Sequence, residues 1–430
     1  MRYTPLPADQ FIEARKRLAA KLKPRSLVIL HSNDVLPTNA DGTMGFAQNS
    51  DLFYLSGVDQ EESILVLFPD AGDEKHREML FVRETSEYIA VWEGDKLTKE
   101  QATARSGIKQ VHWLQEFETI FRQVMCQAEQ VYLNSNEHPR AKIEIETREI
   151  RFVHRCHREY PLHRYERLAP LMHELRAIKT EHELVPLNEA IRITDLGFRR
   201  LLKFVKPGVH EFEIEAELAH EYLRHRASGF AYPPIIASGA NACVLHYVTN
   251  DAPCNDGDML LLDVAARYGN YNADLTRTIP VNGRFTERQR AVYNAVLRVF
   301  RACCEMLRPG VIIHDYQKEV GKLMESELIG LGLLKREDIE KQDPDKPLFK
   351  KYFPHGTSHQ LGLDVHDVGN TWKPIQPGMV FTVEPGIYIR DEKLGVRLED
   401  NILIGKDKNI DLMAGIPIEA DEIEALMRPD

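Results

Sequence analysis

The pattern of apolar and polar positions divides the chain in two. Over residues 1–175, short apolar runs alternate with polar stretches of helical spacing. SLVIL (26–30), SILVLF (63–68), MLFV (79–82) and QVYLN (130–134) predict strands of a mostly buried sheet. KEQATARSG and LQEFETIFRQVMCQAEQ predict helices between them. Alternation of this kind is the layout of an α/β domain. Over residues 176–430 helices and strand pairs recur, an α+β layout and a hint of internal duplication. Thr180 and Glu183 form a capping-box pattern, and Leu184, Leu187, Ile191, Phe198 and Leu201 mark one face of the long helix that follows. Pro186 predicts a kink in that helix or a later start. KPGVHEFEIEAELAHEYLRHRASG reads as a loop and a second helix, and 286–307 and 314–332 as two more. The strands are PPIIASG, the hairpin MLLLDVAARYGNYNADLTRTIPV (259–281), MVFTVEPGIYI and GVRLEDNILI; the charged stretch 334–351 reads as a surface connection.

That hairpin breaks its own pattern. Asp263 and Asp274 lie eleven residues apart in apolar, β-branched surroundings, with RYGN supplying turn residues between them. A regular antiparallel pair would set them opposite each other on one face. A buried carboxylate needs a partner, and two this close need a shared proton or a cation. Downstream, FPHGTSHQLGLDVHDVG carries His355, His359 and His366, FTVEPGIY places Glu384 on a strand, and GVRLEDNILI carries Arg397, Glu399 and Asp400. Taken singly, each has an ordinary structural explanation. Together they are acids placed in otherwise apolar strands. Hard oxygen donors with an imidazole suit Mn²⁺, or Zn²⁺, Co²⁺ or Fe²⁺. Two cations ~3.5–4 Å apart, bridged by carboxylates and a hydroxide, would balance four acids and make a hydrolytic site.

Composition narrows the classes. The 430 residues suit two or three domains, and the net charge of −11 argues against a nucleic-acid partner. No apolar run reaches the ~18 residues of a membrane span. The opening MRYTPLPADQFIEARKRLAAKL reads as an amphipathic helix without a signal-peptide stretch, so a cytoplasmic protein is expected. Cys126, Cys156, Cys243, Cys254, Cys303 and Cys304 include no C-x-x-C pair and read as buried thiols.

LLLDVAARYGNYNADLTRT, HGTSHQLGLDVHD, FTVEPGIYI and RLEDNILI together resemble the metallopeptidase domain of the pita-bread fold, most closely the Xaa-Pro aminopeptidases. The likeness covers most of 176–405; GFAQNSDLFYLSGV (45–58) also resembles the creatinase-type N-terminal domain of those enzymes. The resemblance implies an α/β domain over 1–175 and an α+β pita-bread catalytic domain over 176–430. It implies Asp263, Asp274, His359, Glu384 and Glu399 as ligands of two divalent ions, usually manganese. Asp274 and Glu399 would bridge, Asp263 would hold one ion, and His359 with Glu384 the other. His246 would sit beside the substrate, and His355 and His366 would line the proline-side pocket and help stabilise the transition state. Glu384 would act as general acid–base, and Arg397 would hold a carboxylate outside the ligand set. Tyr388 is a weaker candidate near the site. The implied reaction is hydrolysis of the first peptide bond of Xaa-Pro peptides by a hydroxide that the metals activate, in a homo-oligomer, dimer or tetramer. Gln360 departs from the bulky aromatic expected after the ligand histidine, and Trp92 corresponds either to an aromatic reaching a neighbouring subunit or to one packed in its own domain.

The rivals are prolidase, which shares fold and ligands but cleaves only Xaa-Pro dipeptides, and a metal-free creatinase-type hydrolase or binding module. Ser358 in HGTSH favours the aminopeptidase over prolidase, and an intact ligand set opposes the metal-free reading. Methionine aminopeptidases need no N-terminal domain of this size.

Overall fold

The computed structural model describes residues 3–140 and 144–428, so Met1 and Arg2 of the opening stretch lie outside it. The chain separates into two compact units, Tyr3–Arg176 and Ala177–Asp430.

The first unit is built on a six-stranded sheet in the order Gln110–Trp113, Glu78–Val82, Ile64–Leu67, Ser26–His31, Gln130–Leu133, Arg164–Arg167. Ser26–His31 pairs antiparallel with Ile64–Leu67 and parallel with Gln130–Leu133, so the sheet is mixed. All four predicted strands are present, and the central ones are buried along their whole length, as their unbroken apolar runs require. The two edge strands, Gln110–Trp113 and Arg164–Arg167, were not predicted. Their polar, partly exposed sequences carry no buried-strand pattern. The opening stretch folds as the helix Ala8–Ala19, burying Phe11, Ala14 and Leu18.

The second unit opens on the helix Glu181–Phe204, capped by Thr180 and Glu183 in a reciprocal capping box. Pro186 lies inside the helix and does not delay its start. This helix packs on the helix Glu211–Arg224 and on the strand Ala266–Tyr268. Gly197 is required there: a Cβ would come within 2.6 Å of the Tyr222 ring. Around these helices lie short antiparallel sheets: Ile235–Ser238, Met259–Asp263 and Thr276–Pro280; Gly229–Phe230, Ala266–Tyr268 and Tyr271–Asn272; Val380–Val383, Asp400–Leu403 and Ile410–Asp411; and the pair Gly386–Ile389 and Leu394–Arg397. The predicted helices over 286–307 and 314–332 are Glu287–Met306 and Ile313–Gly330.

Candidate metal centre

Two long hairpins build the site, and each strand of each hairpin is broken once. In the first, Met259–Asp263 pairs with Thr276–Pro280, and beyond the break Ala266–Tyr268 pairs with Tyr271–Asn272. Gly269 and Asn270, at φ 57° and 64°, close its tip as a two-residue turn. In the second, Val380–Val383 pairs with Asp400–Leu403, and beyond the break Gly386–Ile389 pairs with Leu394–Arg397. An acid stands at every break: Asp263, Asp274, Glu384 and Glu399. The device occurs twice in the same order. Pro385 explains one break directly, because it has no N–H to donate to a ladder. Backbone pairing of Thr276 with Glu399, whose N–H reaches the Thr276 carbonyl at 3.0 Å, joins the two hairpins.

These breaks correct two expectations. Asp263 is in register with Thr276, not with Asp274, because the hairpin changes sheets just past Asp263. Glu384 lies between two strands, not on one, since MVFTVEPGIYI is divided at Glu384 and Pro385. A carboxylate at a break is freed from strict alternation and can turn toward its counterparts.

The acids converge. Asp274, His359 and Glu399 each offer a donor atom within 4.8 Å of the others. His359 Nε2 stands 3.5 Å from Asp274 Oδ2 and 3.6 Å from Glu384 Oε1. His359 Nδ1 lies 3.0 Å from the Gln360 carbonyl, which accepts its proton and leaves the Nε2 lone pair facing the carboxylates. Asp263 receives Tyr232 Oη–H on Oδ1 at 2.7 Å and Arg397 Nη2 on Oδ2 at 2.6 Å. Arg397 therefore holds a candidate ligand itself, not an acid outside the set. Its Nε donates to Thr276 Oγ1, which donates on to Glu399 Oε2 at 2.7 Å.

Charge is out of balance here. Four carboxylates face the Arg397 guanidinium and the His359 imidazole, with a second ring, His355, beside Glu384. Burial pushes the Asp263 carboxyl up, with Asp274 adding repulsion against the pull of Arg397. Burial likewise raises Glu384 to about 7, and Glu399, beside Asp274 and Glu384, well above the carboxylate range. Burial pulls His359 down, but Asp274 and Glu384 outweigh it and hold the ring above its ordinary value. A hard divalent cation removes this cost, since it attracts every oxygen that now repels its neighbour. The donor set fits such ions: carboxylate oxygens, one imidazole with its second nitrogen anchored, and no thiolate.

The remaining candidates surround this core. His355 Nδ1 donates to the Gly356 carbonyl at 2.8 Å, and Nε2 accepts from Tyr388 Oη at 2.8 Å. Arg397 Nη1 donates to the same Tyr388 oxygen at 2.8 Å, so guanidinium, phenol and imidazole form one chain. Burial and the nearby Arg397 press His355 down to about 3, so the ring is neutral; Nδ1 stands 3.7 Å from Glu384. His246 is exposed and close enough to disfavour a charge on His355. His366 sets its ring edge-on to His359, with centroids 4.4 Å apart. Gln360 is buried, and its side chain lies where a Gly369 Cβ would be. Trp92 is 72% exposed and does not pack into its own domain. Cys126 departs from the buried-thiol expectation and is exposed.

Sequence reading missed four supports. Tyr232 and Thr276 hold candidate ligands directly, as described. Asn401 is fully buried and bonds the Asp274 backbone twice, Nδ2 to the carbonyl at 2.6 Å and Oδ1 from the N–H at 3.2 Å. Arg277, also fully buried, returns the favour, with Nη1 on the Glu399 carbonyl at 2.9 Å and Nη2 on Asp400 at 2.7 Å. The Asp274 and Glu399 segments are each held by a side chain from the other. The polar spacing of TRT and LEDN is the only signal for Thr276, Arg277 and Asn401; Tyr232 has none.

Comparison with known proteins agrees with this geometry. The profile of metallopeptidase family M24 matches residues 186–406, and that of the aminopeptidase P N-terminal domain matches residues 11–132. The chain is 33% identical to a Xaa-Pro aminopeptidase of Haemophilus influenzae, covering 98% of both chains. The solved proline aminopeptidase P II of Yersinia pestis superposes with a TM-score of 0.87 at 32% identity, covering 98% of this chain and 99% of that one. Aminopeptidase P from Escherichia coli with the inhibitor Pro-Leu gives the same TM-score and identity over 99% of each chain.

Proposed function

The chain belongs to metallopeptidase family M24, and on that premise we propose that it is a metal-dependent aminopeptidase releasing the N-terminal residue from peptides with proline second. The observation that carries this is the gathering of four acids and His359 at the hairpin breaks, with more negative charge than the chain's own cations balance. Full-length likeness to Xaa-Pro aminopeptidases supports the substrate class and disfavours prolidase.

We assign Asp263, Asp274, His359, Glu384 and Glu399 as the residues that would hold two divalent ions, manganese by preference. When bound, such a pair supplies an activated water and polarises the scissile carbonyl. The side chains do the rest. Glu384 takes a proton and delivers it to the leaving proline nitrogen as general acid–base. His366 donates to the oxygen on which charge develops. His355, kept neutral and oriented by Tyr388 and Gly356, lines the proline-side pocket. His246 stands beside the substrate. Asp263, fixed by Tyr232 and Arg397, lies where it can receive the free amino group, which limits cleavage to the first residue. An Xaa-Pro bond lacks an N–H, so a pocket shaped to the proline ring selects it.

We also propose a cytoplasmic homo-oligomer, a dimer or tetramer. All six cysteines are free thiols, and no described helix is long and apolar enough to cross a membrane. Tyr88, Val91 and Trp92 leave one face of the short helix Glu87–Trp92 exposed at 69%, 79% and 72%, a face suited to a second copy. Sedimentation of the wild-type protein against Trp92→Ala checks it.

The deciding experiment strips the protein with a chelator, reloads it with Mn²⁺, and compares a tripeptide Xaa-Pro-Yaa with a dipeptide Xaa-Pro. Metal-dependent release of the tripeptide's first residue is expected. Cleavage of the dipeptide alone would make it a prolidase, and silence on both would return the binding-module reading.

A further inference from the structure

The segment 239–252 carries His246 and shows an alternation of exposure: Val244, His246 and Val248 are exposed, while Cys243, Leu245 and Tyr247 pack inward. Its inner side lies on the catalytic unit's own framework. Ala242, Cys243, Leu245 and Tyr247 cluster with Tyr388, and a Cβ on Gly395 would collide with the Ala242 carbonyl at 2.2 Å. An irregular segment of this length needs something to fix it, and one carboxylate does so. Glu211, fully buried at the first turn of the helix Glu211–Arg224, accepts four hydrogen bonds from the segment and its ends. Oε1 takes the Ser238 N–H at 2.7 Å and Asn241 Nδ2 at 3.3 Å. Oε2 takes Tyr247 Oη–H at 2.7 Å and the Ala252 N–H at 3.0 Å. The two oxygens thus staple the start of the segment to its end, with Tyr247 in between.

One turn on, Glu215 extends the device. It accepts Asn250 Nδ2 at 2.9 Å, while Asn250 Oδ1 accepts the Ile236 N–H. The Glu211 carboxylate forms no salt bridge with a lysine or arginine among the described residues. Its charge is met by those donors and by the positive end of its own helix. Four donors converge on it, so only an acceptor with two ionised oxygens satisfies them all; an amide would turn N–H groups toward N–H or O–H donors.

We propose that Glu211 is a positioning residue for substrate: it acts through His246, by closing the 238–252 segment into a fixed arm against Tyr388 and His355. This rests on the aminopeptidase reading for its kinetic arm only.

The test is Glu211→Gln, compared with His246→Ala and the double variant. Hydrogen exchange of the Ser238 and Ala252 amides should quicken by about tenfold or more in Glu211→Gln, with the Met259–Asp263 amides unchanged. In the Mn²⁺-loaded enzyme, kcat/KM on Xaa-Pro-Yaa should fall by about tenfold, chiefly through KM, with metal stoichiometry at the wild-type value. Adding Glu211→Gln to His246→Ala should cost far less than it does alone, because both act through one side chain. Wild-type exchange at both amides, or strict additivity with His246→Ala, would overturn the proposal. Should Glu211→Gln fail to fold, Tyr247→Phe decides: it removes one donor and leaves the carboxylate, so a smaller KM rise that is non-additive with His246→Ala is expected, and an unchanged KM overturns it. A wild-type protein inert on Xaa-Pro-Yaa would defeat the aminopeptidase reading, while the amide exchange would still judge the staple.

Discussion

Buried carboxylates stand on opposite terms in the first unit and at the hairpin breaks of the second. Elsewhere in the second unit buried acids such as Asp400, with Arg277, and Glu211, with its four donors, are matched as in the first. In the first unit each buried acid has its own donors. Asp51 receives Arg176 at 2.8 Å on one oxygen and Asn134 at 2.8 Å on the other. Glu149 receives the His31 N–H at 2.8 Å and faces His31 Nδ1 at 3.1 Å. At the breaks, Asp263, Asp274, Glu384 and Glu399 share the Arg397 guanidinium and the His359 imidazole, with the neutral His355 ring beside Glu384. Acids matched one to one with donors are structural. Acids that outnumber their donors mark the place where a cation is meant to go.

The largest expected effect separates the two kinds. Asp274→Ala should lower kcat/KM on an Xaa-Pro-Yaa peptide by about 10³-fold or more and reduce the metal bound per chain in calorimetry. Asp51→Ala should leave kcat/KM per folded molecule alone while costing about 3–5 kcal/mol of stability, because it removes the buried carboxylate that Arg176 and Asn134 share. Metal loss in Asp51→Ala would break the contrast. Next comes Arg277→Met, which removes the partner of Asp400 and the anchor of the Glu399 carbonyl. We expect a comparable loss of stability, about 3–5 kcal/mol in chemical denaturation, accompanied here by weaker metal binding.

A third effect follows from protons. Without metal, the native state keeps a proton on Glu384 up to about 7, whereas the unfolded chain releases it near the ordinary 4.5. Between these values the native state binds an extra proton at Glu384, while His355, pressed down to about 3, binds one fewer than the unfolded chain below its ordinary 6.5 and opposes it. The loaded protein keeps only the His355 effect, so thermal unfolding across that range should show the stripped protein losing up to about 3 kcal/mol relative to the loaded one as pH rises. Smallest, Asn401→Ala should weaken metal affinity about 10–100-fold by releasing the Asp274 backbone, with little change in an Xaa-Pro-Yaa KM once metal is saturating.

What the sequence made legible follows the same division. Central strands such as SLVIL and SILVLF announce themselves, because burial on both faces demands unbroken apolar runs. The edge strands QVHW and RYER do not, because an edge makes no such demand. The metal-site acids stood out as polar intrusions in greasy strands. Their spatial relation did not: MVFTVEPGIYI reads as one strand although Glu384 and Pro385 divide it, and Asp263 reads as facing Asp274 although its register partner is Thr276. Periodicity reports which face a residue occupies and is silent where the chain leaves its sheet. Tyr232 was invisible for another reason. It acts as a single side chain from a segment whose pattern says nothing of what lies across from it.

The two broken hairpins share a plan but end in different surroundings. The first tip, Gly269–Asn270, is buried and held at positive φ on both residues, whereas Arg390, Asp391 and Glu392 at the second tip are exposed. The shared plan therefore has one end sealed and the other open to water. An added peptide or a spectroscopic tag between Asp391 and Glu392 has water to enter and a complete small ladder, Gly386–Ile389 with Leu394–Arg397, to shield the acids from it. The same addition at Gly269 would have nowhere to go.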